Sequence, residues 1–159
     1  MLKEGDRAKD FTLKTARGTR SLSDAKGRYA VVYFYPRDNT PGCTREGQAF
    51  TQAVKAFAKA GAVVYGISKD SVESHQRFAD QCGITIDLLS DPDLAVHKAY
   101  GAYGEKTMYG KKVLGTIRST FIVDPAGKIA RVFPKVKVDG HVEAVLEAIA
   151  DLSGVQRKR

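Results

Sequence analysis

Two hydrophobic periods alternate along this chain. Ala30-Val31-Val32-Tyr33-Phe34-Tyr35 is a continuous apolar run, rich in β-branched and aromatic residues. Such a run fits a strand covered on both faces, and Pro36 ends it. Thr40 and Pro41 then mark a helix start, because a threonine can cap and a proline suits the first helical position. Phe50, Val54, Phe57 and Ala58 follow at helical spacing, and Gly61 stops the pattern. The spacing predicts one helix up to Gly61. Ala62 to Ile67 is a second buried strand, so residues 30–67 read as a βαβ unit with parallel strands.

The remaining elements extend this pattern. Phe11–Leu13 and Arg20–Leu22 flank Ala16-Arg17-Gly18-Thr19, which predicts an N-terminal hairpin. Ser71 to Cys82 is a helix with Val72, His75, Phe78, Ala79 and Cys82 on one stripe, closed by Gly83. Leu88-Leu89 is a short strand and Leu94 to Tyr100 a short helix. Thr120–Val123 and Ile129–Phe133 join through Asp124-Pro125-Ala126-Gly127 as a hairpin. The last helix carries Val142, Val145, Leu146, Ile149 and Leu152, with Gly154 beyond it. A βαβ half followed by a ββα half predicts an α/β, thioredoxin-like fold: a central mixed sheet flanked by helices, with an N-terminal β-hairpin. With 159 residues, one domain spanning 1–159 is expected. A globule of this mass buries roughly 69% of its unfolded surface.

Composition narrows the function. No apolar run is long enough to cross a bilayer, and residues 1–6 contain no secretory-type stretch, so a cytoplasmic, membrane-free protein is expected. The net charge is +8. Residues 106–137 hold eight Lys/Arg against the single acid Asp124, and Arg157-Lys158-Arg159 adds a basic tail (155–159) expected to be flexible. This excess reads as a solvated basic face rather than a nucleic-acid site. Tyr100, Tyr103 and Tyr109 read mainly as packing, and secondarily as a rim. His75, His97 and His141 lack metal-ligand spacing, so no metal is expected. Two cysteines, Cys43 and Cys82, make no disulfide scaffold.

The chemistry concentrates in Pro36-Arg37-Asp38-Asn39-Thr40-Pro41-Gly42-Cys43. This segment follows the carboxyl end of a buried strand, where open α/β sheets place ligands. An ordinary thiol is only roughly 3% ionised at neutral pH. A helix N-terminus offers unpaired N–H groups and partial positive charge, which favour the anion. Cys43 is thereby nominated as a reactive thiolate, with a structural cysteine as the alternative.

Pro36-x-x-x-Thr40-x-x-Cys43 resembles the active-site motif of the peroxiredoxins. Tyr33 to Thr44 resembles the bacterioferritin comigratory protein, or peroxiredoxin Q, subfamily. So do Gly66-Ile67-Ser68, Asp70-Ser71-Val72-x-Ser74-His75, Leu88-Leu89-Ser90-Asp91, Gly104-Glu105-Lys106, Met108-Tyr109-Gly110-Lys111 and Arg118-Ser119-Thr120-Phe121. The resemblance implies a thiol peroxidase whose Cys43 attacks hydrogen peroxide or an organic hydroperoxide and becomes a sulfenic acid. It implies that the Thr40 hydroxyl bonds thiolate and peroxide, that Arg118 faces Cys43, and that Pro36 walls the pocket. Glu46 is expected to orient Arg118. The implied partners are a peroxide and thioredoxin or a similar dithiol, no cofactor is implied, and the subfamily is mostly monomeric.

The second cysteine departs from the pattern. Many members carry a resolving cysteine where this chain has Gln48. Others place it in the next helix, near Ala79, about one turn before Cys82. The resemblance thus favours Cys82 as the resolving cysteine, forming an intramolecular Cys43–Cys82 disulfide. The alternatives are a one-cysteine enzyme with a structural Cys82, or a redox-controlled binding module on the same fold.

Overall fold

The computed structural model describes residues 1–154, so the basic tail 155–159 lies outside the described residues. In chain order the elements are β1 (Thr12–Thr15), β2 (Gly18–Ser21), β3 (Tyr29–Phe34), α1 (Pro41–Gln52), α2 (Val54–Lys59), β4 (Ala62–Ser68), α3 (Val72–Cys82), β5 (Asp87–Ser90), α4 (Ala95–Tyr100), β6 (Tyr103–Met108), β7 (Lys111–Thr116), β8 (Ser119–Val123), β9 (Ile129–Phe133) and α5 (His141–Ser153). A short 3-10 turn, Leu22–Ala25, follows β2.

Seven strands form one mixed sheet in the order β2-β1-β5-β4-β3-β8-β9. β4 runs parallel to β3 and β5, which confirms the βαβ unit. β8 and β9 are antiparallel neighbours on one side, and the N-terminal hairpin adds antiparallel strands on the other. β3 lies inside the sheet, between β4 and β8, and its side chains alternate. Val31 and Tyr33 face a core with Phe50, Phe57, Phe78, Val145 and Ile149, drawn from α1, α2, α3 and α5. Ala30, Val32 and Phe34 face a second core with Phe11, Val96, Tyr100 and Phe121. Both faces are covered, which is why β3 reads as an unbroken apolar run.

The expected single helix after Pro41 is divided at Ala53, whose φ and ψ are −96° and 2°. Its N–H is shared between the Ala49 and Phe50 carbonyls, both at 3.2 Å. The break lets Phe50 and Phe57, each fully buried, pack with ring centroids 5.8 Å apart.

One element was not legible in the pattern. β6 and β7 form a separate two-stranded hairpin within the basic stretch. Its side chains are mostly exposed on both faces, so no hydrophobic alternation marks it. Tyr109 and Gly110 turn it with φ of 53° and 77°. The tyrosines separate accordingly: Tyr100 is buried, Tyr103 is half-buried under Lys98, and Tyr109 is 98% exposed. Among the described residues, no helix is long and apolar enough to cross a membrane.

Candidate active site

β3 delivers the chain to Tyr35 and a half-buried Pro36, and a short turn leads into α1. Asn39 adopts φ 63°, the left-handed region that asparagine tolerates better than most residues. The first backbone bond back into the helix is from Thr44 N–H to the Thr40 carbonyl, at 2.8 Å. Gly42 and Cys43 lie in the first turn, where N–H groups have no intrahelical partner. Cys43 is 2% exposed.

Thr40 is the N-cap by backbone conformation, but its side chain does not cap. The hydroxyl instead donates to the Arg37 carbonyl at 2.9 Å, rather than turning to Cys43. Threonine hydroxyls make such local bonds readily.

Arg118 comes from the turn between β7 and β8, far away in sequence. Its Nη2 donates to Cys43 Sγ at 3.2 Å and its Nη1 to Glu46 Oε1 at 2.5 Å. Glu46 is completely buried, and its Oε2 has no hydrogen-bond partner. Burial pushes the Glu46 carboxyl up to about 7, while Arg118 pulls it the other way. Burial disfavours the charged guanidinium, but Glu46 and Cys43 outweigh this and raise Arg118 above its ordinary range. The pair therefore fixes a permanent cation against a buried sulfur. Lys106 lies near this charge. Burial and then Arg118 hold its ammonium below the usual range, and its Nζ donates to the Thr116 carbonyl at 2.8 Å.

Gly42 leaves room for the close approach of Arg118. A β-carbon there would lie 3.3 Å from Arg118 Nη2. The proline before it and the cysteine after it drew attention in the sequence, but the need for a missing side chain shows only once Arg118 is in place.

A second constellation was also missed. Asp38 is buried beside the same turn. Its Oδ2 is 2.7 Å from His75 Nδ1 and accepts from Ser74 Oγ at 2.8 Å, and its Oδ1 accepts from Tyr35 Oη at 2.7 Å. Burial opposes the charge, but these bonds more than offset it and hold Asp38 below the usual carboxylate range. The Asp38 N–H donates to Asp70 Oδ2 at 2.8 Å, so the turn is tied to the start of α3. Ligand-type atoms of Asp38, Asp70 and His75 lie within 4.8 Å of one another. These atoms already bond to the protein's own donors and to each other, so the cluster reads as a structural anchor. The sequence placed His75 on an apolar stripe. The signal that could have found its partner was the pairing of Asp38 with the Asp70–His75 motif.

Cys82 ends α3, and both cysteines are free thiols. Its Sγ donates to Asn39 Oδ1 at 3.9 Å, not to Cys43. The structure thus brings Cys43, Glu46 and Arg118 into direct contact, sets Thr40 and Pro36 in the adjoining turn, and leaves Cys82 bonded to a different partner.

Known proteins resemble this chain in sequence and fold. The AhpC/TSA family model matches residues 4–132. Peroxiredoxin Bcp of Bacillus subtilis is 40% identical over 150 residues, covering 94% of this chain and 96% of its own. Peroxiredoxin Bcp of Xanthomonas campestris is 46% identical over 141 residues, covering 88% of each. A structure of Xanthomonas campestris peroxiredoxin Q superposes with a TM-score of 0.85 at 44% identity, covering 90% of this chain and 91% of that one. A cysteine-to-serine variant of Xylella fastidiosa PrxQ gives 0.90 at 37% identity, covering 96% and 98%. A thiol held by a fixed guanidinium at a helix start, on this sheet and among these relatives, makes the chain a member of the AhpC/TSA family: a peroxiredoxin of the Bcp/peroxiredoxin Q subfamily, which is a thiol peroxidase using a peroxide substrate and a thiol reductant.

Proposed function

We propose that Cys43 is the peroxidatic nucleophile and that the chain, as one domain, reduces hydrogen peroxide and organic hydroperoxides. The carrying observation is the Arg118 Nη2–Cys43 Sγ contact at 3.2 Å. The Cys43 thiolate attacks the nearer peroxide oxygen. The S–O bond forms as the O–O bond breaks, and the departing oxygen leaves as water or an alcohol after taking a proton. Charge moves from sulfur to that oxygen, so a fixed guanidinium beside both atoms lowers the barrier. Free N–H groups of the first helical turn add donors on the same side. With its own proton committed to Arg37, the Thr40 oxygen is left as an acceptor for the hydroperoxide O–H. Pro36 limits water at the rim, and Glu46 keeps Arg118 in place. Organic hydroperoxides enter the reading because the Xanthomonas campestris bacterioferritin comigratory protein, 43% identical with a TM-score of 0.84, has alkyl peroxide reduction activity.

Resolution is assigned to Cys82. The Cys82 thiolate attacks the Cys43 sulfenic sulfur, giving a disulfide and water, and thioredoxin or a similar dithiol then reduces the disulfide. Two free cysteines suit a reducing, cytoplasmic setting, and a monomer suffices because both cysteines belong to one chain. The second reading, a one-cysteine enzyme, is favoured by the contact between Cys82 and Asn39.

Peroxide consumption by wild type, Cys43→Ser and Cys82→Ser decides, measured with thioredoxin and with dithiothreitol and followed by disulfide mapping. Loss of both activities in Cys43→Ser is expected. Cys82→Ser should lose thioredoxin-linked turnover and keep the dithiothreitol reaction. Full activity in Cys43→Ser would overturn the nucleophile, and thioredoxin turnover in Cys82→Ser would establish the one-cysteine reading.

A further inference from the structure

The step that joins the two sulfurs is opposed by contacts on both. Cys43 Sγ accepts from Arg118, and Cys82 Sγ donates to Asn39. Each must leave its partner before the two can bond. What holds α3 in place therefore governs how easily they meet.

The two ends of α3 are held by different chemistry. Near its start, His75 and Ser74 bind the buried Asp38 carboxylate, which also takes the Tyr35 hydroxyl. The side chains of His75 and Asp38 are 1% and 4% exposed. Breaking this set would strand a charge away from water, the costliest kind of polar loss. At its end the attachment is neutral and half-buried. Gln48, on α1, donates from Nε2 to the Cys82 carbonyl at 3.0 Å. That carbonyl is one of those the helix end leaves without an intrahelical partner, so Gln48 closes the last turn from the side. Two neighbouring contacts continue the seam. Thr51 Oγ1 accepts from Thr85 N–H at 3.1 Å, and Ile84 fills the space beside Gly47, where a β-carbon would lie 2.7 Å from Ile84 Cδ1. When the Gln48 bond opens, water can replace the amide, because Cys82 is only partly buried.

Building on the reading that Cys82 resolves Cys43, we infer that Gln48 is a positioning residue for that step. Its amide latches the last turn of α3 onto α1, and release of this bond lets α3 open from its C-terminal end while the Asp38–His75 anchor holds the start. The freed Cys82 thiol loses its proton and attacks the sulfenic sulfur of Cys43. An S–S bond forms, the S–O bond breaks, and the hydroxyl leaves with that proton as water, so no oxidant beyond the peroxide already consumed is needed. Gln48 thus acts on the timing of a cysteine on a different helix.

The test compares wild type with Gln48→Ala and with Gln48→Glu, which keeps the size but removes the donor. Each reduced protein receives one equivalent of hydrogen peroxide. Rapid quenching and mass spectrometry follow Cys43 oxidation and Cys43–Cys82 linkage separately, and amide exchange is recorded on the reduced proteins. Both variants should form the linkage roughly fivefold faster, the factor one neutral hydrogen bond is worth, with Cys43 oxidation unchanged. Exchange should rise at Cys82–Ile84 and stay constant at His75–Phe78. Linkage at the wild-type rate in both variants would overturn the latch and leave Cys82 as the resolving cysteine. Faster exchange spread equally along α3 would overturn opening from one end. Absence of the linkage in all three proteins would overturn the resolving assignment itself, and the latch with it.

Discussion

Cys43 and Glu46 stand three positions apart on α1 and share one guanidinium: Arg118 gives Nη2 to the sulfur and Nη1 to the carboxylate. The spacing puts both on one helix face. A planar fork with two parallel edges can serve both at once, and a lysine cannot. The carboxylate thereby sets the position of the cation that the sulfur meets.

Arg118→Lys keeps the charge and loses the fork. Its rate constant for Cys43 oxidation by hydrogen peroxide should fall about 100-fold, the scale seen when one preorganised donor is removed from developing charge. The chain contains no tryptophan, so rapid-quench mass spectrometry is the appropriate measurement. A rate within twofold of wild type would remove Arg118 from the reacting centre.

Glu46 contributes a pH dependence to stability. Its carboxyl titrates near 7 in the fold against an ordinary 4.5, because burial disfavours the ion more than Arg118 favours it. The folded protein thus holds this proton more tightly than the unfolded chain does. The resulting stabilisation is complete below pH 4.5 and is lost as pH rises to about 7. Relative to Glu46→Gln, wild type should lose about 3 kcal/mol of unfolding free energy across that window, measured by urea titration at several pH values. A constant difference between the two proteins would show that Glu46 is ionised throughout.

Gly42→Ala tests the approach of Arg118 to the helix. The added methyl meets Nη2 at 3.3 Å, so the guanidinium must shift by a few tenths of an ångström. Cys43 oxidation should slow about tenfold, since even small misplacement at a reacting centre is costly. The melting temperature should not fall, because alanine is the better helix former. Unchanged oxidation would mean that the guanidinium has room to spare.

Much of the fold was legible because the strongest signals are local. Burial on both faces makes β3 and β4 continuous apolar runs, Gly83 closes α3 in a left-handed conformation, and Asp124 to Gly127 turns β8 into β9. The site was half legible for the same reason. Thr40-Pro41-Gly42-Cys43 is a helix start within a few residues, so local geometry alone puts the thiol in the first turn. The resemblance, rather than any pattern of spacing, singled out Arg118.

The sequence by itself determined the alternation of strand and helix and the location of a thiol at a helix N-terminus, since propensity, capping and burial period act over a few neighbouring residues. Only the tertiary structure decided the rest. Arg118 reaches Cys43 across 75 positions, Asp38 meets His75 across 37, Thr40 turns its hydroxyl to Arg37 rather than to the sulfur, and Cys82 rests on Asn39 rather than on Cys43. Those outcomes depend on which side chains satisfy one another once the sheet is assembled, and no local period encodes that competition.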